Sequence, residues 1–417
     1  MEYLDAYGLS SAWQPSMTRP IYLDAAASTP LDPVVLEAMR PVLQEGYGNP
    51  SSSHWAGRRA QRLVERAREQ VAAIASGRPS GVIFTSGATE ANNLALHGLL
   101  ASAEGKRRSV VSCVTEHPAV LEPLRALAAR GIPVRLVGVD EDGRLDLDEL
   151  VAAVNETTLL VTVMAANNET GVLTDLATVC EVAHSAGALV HSDASQILAW
   201  GALPGDHQMD LVTVSGHKMH GPQGIGALVA GRTALQLLRP VTHGGGQERG
   251  LRSGTLNVAG AVGLGAAAEL ATETGQIAAG AVQAQRDALL AGLQAQLPVA
   301  LLNGHVQHRL PGILNVAVGD AGDEVEADAV LAHMPTLAAA TGSACSSGAP
   351  GHSHVLSAMG LPVQRVRSSL RFSLSRLSDP ETVPAALPLI IDAVREVRTR
   401  MHSNDPQVDM HEGMLNR

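Results

Sequence analysis

Between about Leu31 and Gly275, short apolar runs rich in β-branched residues alternate with Ala/Leu/Arg-rich stretches of helical spacing. The runs are Val82-Ile83-Phe84 and residues 110–114, 134–137, 159–163, 188–191 and 211–214. Runs this apolar read as strands buried on both faces, and stretches such as residues 64–71 supply the helices that cover them. The alternation predicts an α/β chain of βαβ units around a mainly parallel sheet. After Gly275 the texture changes to a long helix, strands near Gly312 to Val318, a Gly/Ser/Pro-rich stretch from Thr341 to Gly351 and two more helical segments. The expected division is a large domain over 31–275 and a smaller α+β domain from 17–30 with 276–402, with polar termini at 1–16 and 403–417. A chain of 417 residues can bury a core for both.

The formal net charge of −11 argues against a nucleic acid bound through a broad basic surface, and 2% aromatics leave few stacking platforms. No uninterrupted apolar stretch approaches the roughly 20 residues of a membrane span. The first twenty residues carry acids and no apolar signal core. Three scattered cysteines, Cys113, Cys180 and Cys345, provide neither a disulfide framework nor a metal site, and the expected setting is a reducing cytoplasm.

Of thirty basic side chains, only Lys106 and Lys218 are lysines. Arginine serves for solubility and ion pairs but cannot be deprotonated to a nucleophilic amine, so each lysine is informative. Lys106 sits in the basic run Gly105-Lys106-Arg107-Arg108 and reads as a solvated charge. Lys218 ends the run after residues 211–214, in Ser215-Gly216-His217-Lys218, before a glycine-rich turn. It is either a strand-end lysine pointing to water or a Schiff-base amine.

In a doubly wound sheet ligands gather beyond the carboxyl ends of the strands, so the polar residues there are candidates. Thr85-Ser86-Gly87-Ala88-Thr89-Glu90 opens a helix and is an anion site or an ordinary capping box. His191-Ser192-Asp193-Ala194-Ser195-Gln196 puts an acid at a strand end, either a helix cap or a carboxylate for a pyridine nitrogen. Asn167-Asn168-Glu169-Thr170-Gly171 is a polar loop after another strand. Thr115-Glu116-His117-Pro118 offers an imidazole as a flat partner in a chain poor in aromatics.

These motifs stand in the order found in one family. Together with Leu23-Asp24-Ala25-Ala26-Ala27, the stretch Gly244 to Thr255, Gly342-Ser343-Ala344-Cys345 and Ser368 to Ser373, they make the chain resemble the pyridoxal-phosphate cysteine desulfurases of the NifS/IscS type, from about Ile21 to Arg400. The resemblance implies the fold-type I architecture, a large sheet domain plus a smaller α+β domain. It implies pyridoxal 5'-phosphate as cofactor, with Lys218 as its Schiff-base amine and proton carrier. Asp193 pairs with the ring nitrogen, Gln196 with the ring hydroxyl, and His117 stacks on the ring. By the same resemblance Ala88, Thr89, Ser215 and His217 hold the phosphate, while Thr255 reaches the cofactor of a neighbouring subunit in a homodimer. Arg371 with Asn168 clamps the substrate carboxylate, a role for which a guanidinium fork is suited.

Cys345 decides the subclass. Desulfuration needs a thiolate that takes sulfur as a persulfide and carries it to an acceptor, and residues 341–351 are too rich in Gly and Ser for a rigid element. Cys113 and Cys180 lie in apolar runs and read as core. His352 and His354 either tune the persulfide or are polar loop residues. The expected activity is conversion of L-cysteine to L-alanine with sulfur delivered to an acceptor protein. The rival readings are a selenocysteine or cysteine-sulfinate lyase, a class V aminotransferase, and an inactive scaffold. No metal site is expected.

Overall fold

The structure, a computed structural model, describes residues 20–101, 107–203, 209–319, 325–341 and 353–403. Its strands in chain order are β1 (Ile21–Tyr22), β2 (Val82–Thr85), β3 (Ser109–Cys113), β4 (Val134–Val137), β5 (Thr158–Thr162), β6 (Leu189–Asp193) and β7 (Leu211–Ser215). They continue with β8 (Gly226–Ala230), β9 (Leu301–Asn303), β10 (Ile313–Ala317), β11 (Leu337–Ala338), β12 (Ala340–Thr341) and β13 (Ser369–Ser373). Each apolar run of the sequence contains one of these strands.

β2 to β8 form a seven-stranded sheet in the order β2-β8-β7-β6-β5-β3-β4. Neighbours from β7 to β4 are parallel, and β8 runs antiparallel to both β2 and β7. Because side chains alternate along a strand, each run feeds two cores. Val82 and Phe84 pack with Val111, Val161, Val190 and Val212 on one face. Ile83 packs with Val110, Leu160, Leu211 and Leu228 on the other, against the helices Ala88–Leu100 and Pro118–Ala129. The sheet is therefore a mainly parallel layer between helices, the expected α/β class.

A third core gathers β10 and β13 with Leu23 and the C-terminal helix Thr382–Ser403. β12, β13, β10 and β9 make its antiparallel sheet, while β1 pairs with β11 and Asp24 bridges to Ser373. The 39-residue helix Val258–Gln296 serves both parts: Leu264 and Ala271 lie in the first core, Val282, Leu289 and Leu293 in the third. Gly275 lies between, where a Cβ would stand 2.5 Å from the Trp200 carbonyl carbon. On this change of core we propose the domain boundary near residue 275. No helix among the described residues is long and apolar enough to cross a membrane.

One buried ion pair ties the stretch around Gly244 to Thr255 onto the sheet. Arg68 holds Glu248 through two bonds of 2.8 and 3.0 Å, and a Glu248 oxygen also accepts the Phe84 N–H at 2.8 Å. The Arg68 guanidinium lies 5.0 Å from the Phe84 ring centroid. Glu248 and Arg249 have φ of 46° and 59°, left-handed values that cost non-glycine residues energy and that the pair holds in place. Removing one partner leaves the other charge buried, so Glu248→Ala is expected to lower stability by about 3–5 kcal/mol in urea unfolding. The double variant Arg68→Met/Glu248→Leu should lose less, and an unchanged midpoint for the single variant would rule out this anchoring role.

Candidate active site

Where β2, β3, β5, β6 and β7 end, their following residues surround a cavity of about 610 Å³. Its wall includes Ala88, Thr89, His117, Asn168, Asp193, Gln196, Ser215, His217 and Lys218. Nine of the expected site residues thus converge from five strand ends, as the rule for open α/β sheets requires.

Gly87 caps the helix Ala88–Leu100 without a side-chain hydrogen bond, and Gly87, Ala88 and Thr89 all face the cavity. The helix therefore turns its positive end toward the cavity. Glu90 reaches back to accept the Ser86 N–H at 2.6 Å and is held by Arg252 at 2.7 Å. Glu90 thus bonds the residue before the N-cap rather than Gly87 itself, so no capping box closes the first turn.

Lys218 closes the short turn Gly216–Lys218 after β7. Its Nζ donates to the Ala26 carbonyl, which also accepts Gln196 Nε2 at 3.0 Å. Thr29 donates its hydroxyl to the His217 carbonyl at 2.8 Å, so the segment after β1 braces the lysine turn. Burial, with Lys218 adding to it, pushes the His217 imidazole down to about 4, and the ring is neutral at pH 7. The buried Ser215 hydroxyl has no hydrogen-bond partner among the described residues, and Ser215 stands on the cavity wall.

Asp193 ends β6. One carboxylate oxygen accepts the Ser195 N–H at 3.0 Å in a turn, and the other accepts Asn92 Nδ2 at 2.7 Å. Asp193 thus makes the local turn expected of a cap and still borders the cavity. His117 caps the helix Pro118–Ala129 through Nδ1, which accepts the Ala119 N–H at 3.0 Å and leaves the proton of the neutral ring on Nε2. Burial lowers the His117 pKa; Asp193 opposes this, and Lys218 and His354 add to it.

Arg371 is buried on β13 and does not border the cavity. It pairs with Asp24 at 2.8 Å and donates to the Asn168 carbonyl at 2.9 Å, reaching the wall through Asn168. Its Nε has no hydrogen-bond partner among the described residues. Thr255 is exposed and also off this cavity. Cys345, His352 and Lys106 lie outside the described residues. Cys113 and Cys180 are buried thiols, pushed up to about 11 by burial, and belong to the core.

Some members of the site had no assigned role in the sequence. Asn92 is fully buried against Asp193, and its spacing of four from Ala88, which puts both on one helix face, was the available signal. Glu116 and Glu169 stood inside recognised motifs, yet only packing reveals their burial. Burial raises the Glu116 carboxyl well above its ordinary value, and takes Glu169 to about 7 against the opposing pull of Ser353 and Arg371.

A fold of this topology with a lysine, a carboxylate and a helix N-terminus around one cleft defines a class of cofactor enzymes, and the profile of the class-V aminotransferase family matches residues 21–385. The chain belongs to that family. Within it the chain stands with the cysteine desulfurases: it is 44% identical over 386 residues to cysteine desulfurase IscS of Anaeromyxobacter sp. strain Fw109-5, covering 92% of this chain and 94% of that one. It is also 44% identical to a cysteine desulfurase of Frankia sp. strain EuIK1, over 94% and 95% of the two chains. Among solved structures, a NifS-like protein superposes with a TM-score of 0.83 at 34% identity, over 90% of this chain and 99% of that one.

Beneath the cavity, His191 bridges Thr162 and Thr213 at 2.8 and 3.0 Å, and burial holds its pKa near 4, with Asp193 opposing. A group whose folded pKa lies below its unfolded value of 6.5 contributes stability that is complete above 6.5 and lost as pH falls toward 4. Urea midpoints are therefore expected to drop between pH 7 and 5, and His191→Gln should flatten that drop. A wild-type profile flat over this range would contradict a neutral buried His191.

Proposed function

We propose that the chain binds pyridoxal 5'-phosphate in this cavity, converts L-cysteine to L-alanine and takes the sulfur onto Cys345 as a persulfide for an acceptor protein. The observation that carries this reading is the convergence of Lys218, Asp193, His117 and an open helix N-terminus on one cleft, in a chain of the desulfurase family. The residues fit the cofactor chemically: the orphaned Ser215 hydroxyl and the open helix turn suit a phosphate, and the cavity places a carboxylate, a flat imidazole and an amine around one space.

When bound, pyridoxal 5'-phosphate supplies an electron sink for breaking the Cα–H and Cβ–S bonds of an amino acid. Ala88, Thr89, Ser215 and His217 would hold its phosphate, Asp193 its ring nitrogen, Gln196 its ring hydroxyl and His117 the ring face. Lys218 Nζ would attach it and then move the proton at the substrate Cα. Neutral His217 can donate or accept beside the phosphate without adding charge. Asn168 and Arg371 would orient the substrate carboxylate, Arg371 through its Nε, which has no hydrogen-bond partner among the described residues. At Cys345 a sulfur–sulfur bond forms as the substrate Cβ–S bond breaks. The released electron pair returns as a C–H bond in alanine, so no outside oxidant enters.

Thr255, exposed and off its own cavity, would serve the cofactor of a second subunit, and we assign a homodimer on that ground. A thiol nucleophile beside free core cysteines fits a reducing cytoplasm. With L-cysteine, the wild type is expected to release alanine and sulfide in equal amounts in the presence of a thiol reductant. Lys218→Ala should lose at least about a hundredfold in rate, and Cys345→Ala should form no persulfide. Full desulfuration by Cys345→Ala would point instead to a lyase, and keto-acid-dependent amino transfer to an aminotransferase.

A further inference from the structure

Two buried acids flank the cavity wall in the sequence: Glu116 precedes His117 and Glu169 follows Asn168. They come from the ends of different strands, β3 and β5, and meet the same dipeptide. Ser353 donates its hydroxyl to Glu169 Oε2 at 2.5 Å, and His354 Nε2 donates to the Glu116 carbonyl at 3.0 Å. The Ser353 oxygen also accepts the Leu356 N–H at 3.0 Å, capping the helical turn His354–Ala358. Behind that turn Val355, Leu356, Met359 and Val366 form an apolar cluster of their own, packed against Val139.

Both acids are themselves fixed. The Glu116 side chain accepts the Met164 N–H at 2.6 Å, Met164 being another cavity residue. The Glu169 N–H donates to the Asn167 side chain at 2.9 Å, and its carbonyl accepts Asn315 Nδ2 at 3.2 Å. Ser353 is almost fully buried, so the hydroxyl–carboxyl bond is not a surface contact that water can replace. Cys345 precedes Ser353 by eight residues, and β12, pairing Ala340 with Arg371, precedes Cys345 by only four. The described residues on either side of Cys345 in the sequence are thus held: Ala340 pairs with Arg371, and Ser353 and His354 bond beside Asn168 and His117.

We propose that Ser353 and His354, gripped by Glu169 and the Glu116 backbone, are positioning residues for the transfer of substrate sulfur to Cys345. This rests on the desulfurase reading above. None of the four touches the reacting atoms in this role; they set where the thiol-bearing stretch returns to the wall. Cofactor and substrate contacts lie on Lys218, Asp193 and Asn168, so loss of the grip should spare amino-acid docking and slow the sulfur step. Two anchors on two strand ends fix an orientation as well as a position, which a single contact would not.

The test uses the full-length holoenzyme and compares wild type with Ser353→Ala, His354→Phe, Glu169→Ala and the conservative Glu169→Gln. Two readouts are followed after rapid mixing with L-cysteine: the change in the cofactor's visible absorption, reporting substrate docking, and single-turnover persulfide on Cys345, by alkylation and mass. The expected result is an absorption change of wild-type amplitude in every variant and a KM within about twofold. Persulfide formation should slow by about tenfold or more in Ser353→Ala, His354→Phe and Glu169→Ala. Glu169→Gln, which still offers an accepting oxygen to Ser353, should recover most of the rate. Wild-type persulfide rates in Ser353→Ala and His354→Phe overturn the assignment, as does equal loss of both readouts. A wild type that desulfurates cysteine without persulfide on Cys345 overturns the sulfur-transfer reading itself.

Discussion

The electrostatics of the cavity depend on one carboxylate, Asp193, fixed at the end of β6 by Asn92 and by the Ser195 N–H. Around it the fold places groups that burial drives toward their neutral forms. Glu116 is raised first by burial and further by Asp193, so a second carboxylate beside the first is disfavoured. His117 and His191 are lowered by burial, and Asp193 offsets this only in part. The outcome is a carboxylate among groups held toward neutrality, on a cavity wall that also carries Lys218 and a helix N-terminus. Such fixed dipoles and charges need no rearrangement when charge develops on a bound group.

That arrangement follows from the topology of the sheet. Parallel strands deliver their carboxyl ends to one edge, so β2, β3, β5, β6 and β7 each contribute to one cavity although their motifs are spread from Thr85 to Lys218. The antiparallel β8 fits between β2 and β7 and passes close behind the site: a Cβ at Gly226 would stand 2.8 Å from the Gly87 Cα. Glycine is needed there because the backbone of one strand lies against the turn that opens the helix. The smaller part of the molecule enters through Asp24, which holds Arg371, and Ala26, whose carbonyl receives both Lys218 and Gln196. The site is thus built by both parts.

Features with a local signature were legible in the sequence. Apolar runs located every strand of the large sheet except β8, which lies just after the glycine-rich turn and was not singled out. Nine residues to which the family resemblance gave cofactor or substrate roles border the cavity; strand-end position had marked the segments that carry them, not their roles. Features made by distant pairs were not legible. The Asn92–Asp193 and Arg68–Glu248 contacts join residues 101 and 180 positions apart. Neither partner announces the other, and ordinary helix or loop positions would look the same. Arg371 is likewise placed by distant partners, Asp24 and the Asn168 carbonyl, which its own motif does not announce.

Glu116 and Glu169 also show why a motif is more than its reactive member. Each stands one residue from a side chain that borders the cavity, and each is buried where an ionised carboxyl is penalised. A glutamine could fill either volume without that penalty, so steric packing alone does not account for a carboxyl at both places. At Glu169 the acceptor oxygen has a definite use, as it takes the hydroxyl that caps the turn His354–Ala358. At Glu116 the side chain holds Met164 while the backbone carbonyl receives His354, so one residue fixes the wall and the returning chain together. The strand ends thus hold the cavity wall, and the same two acids bind Ser353 and His354, which follow Cys345 by eight and nine residues in the sequence.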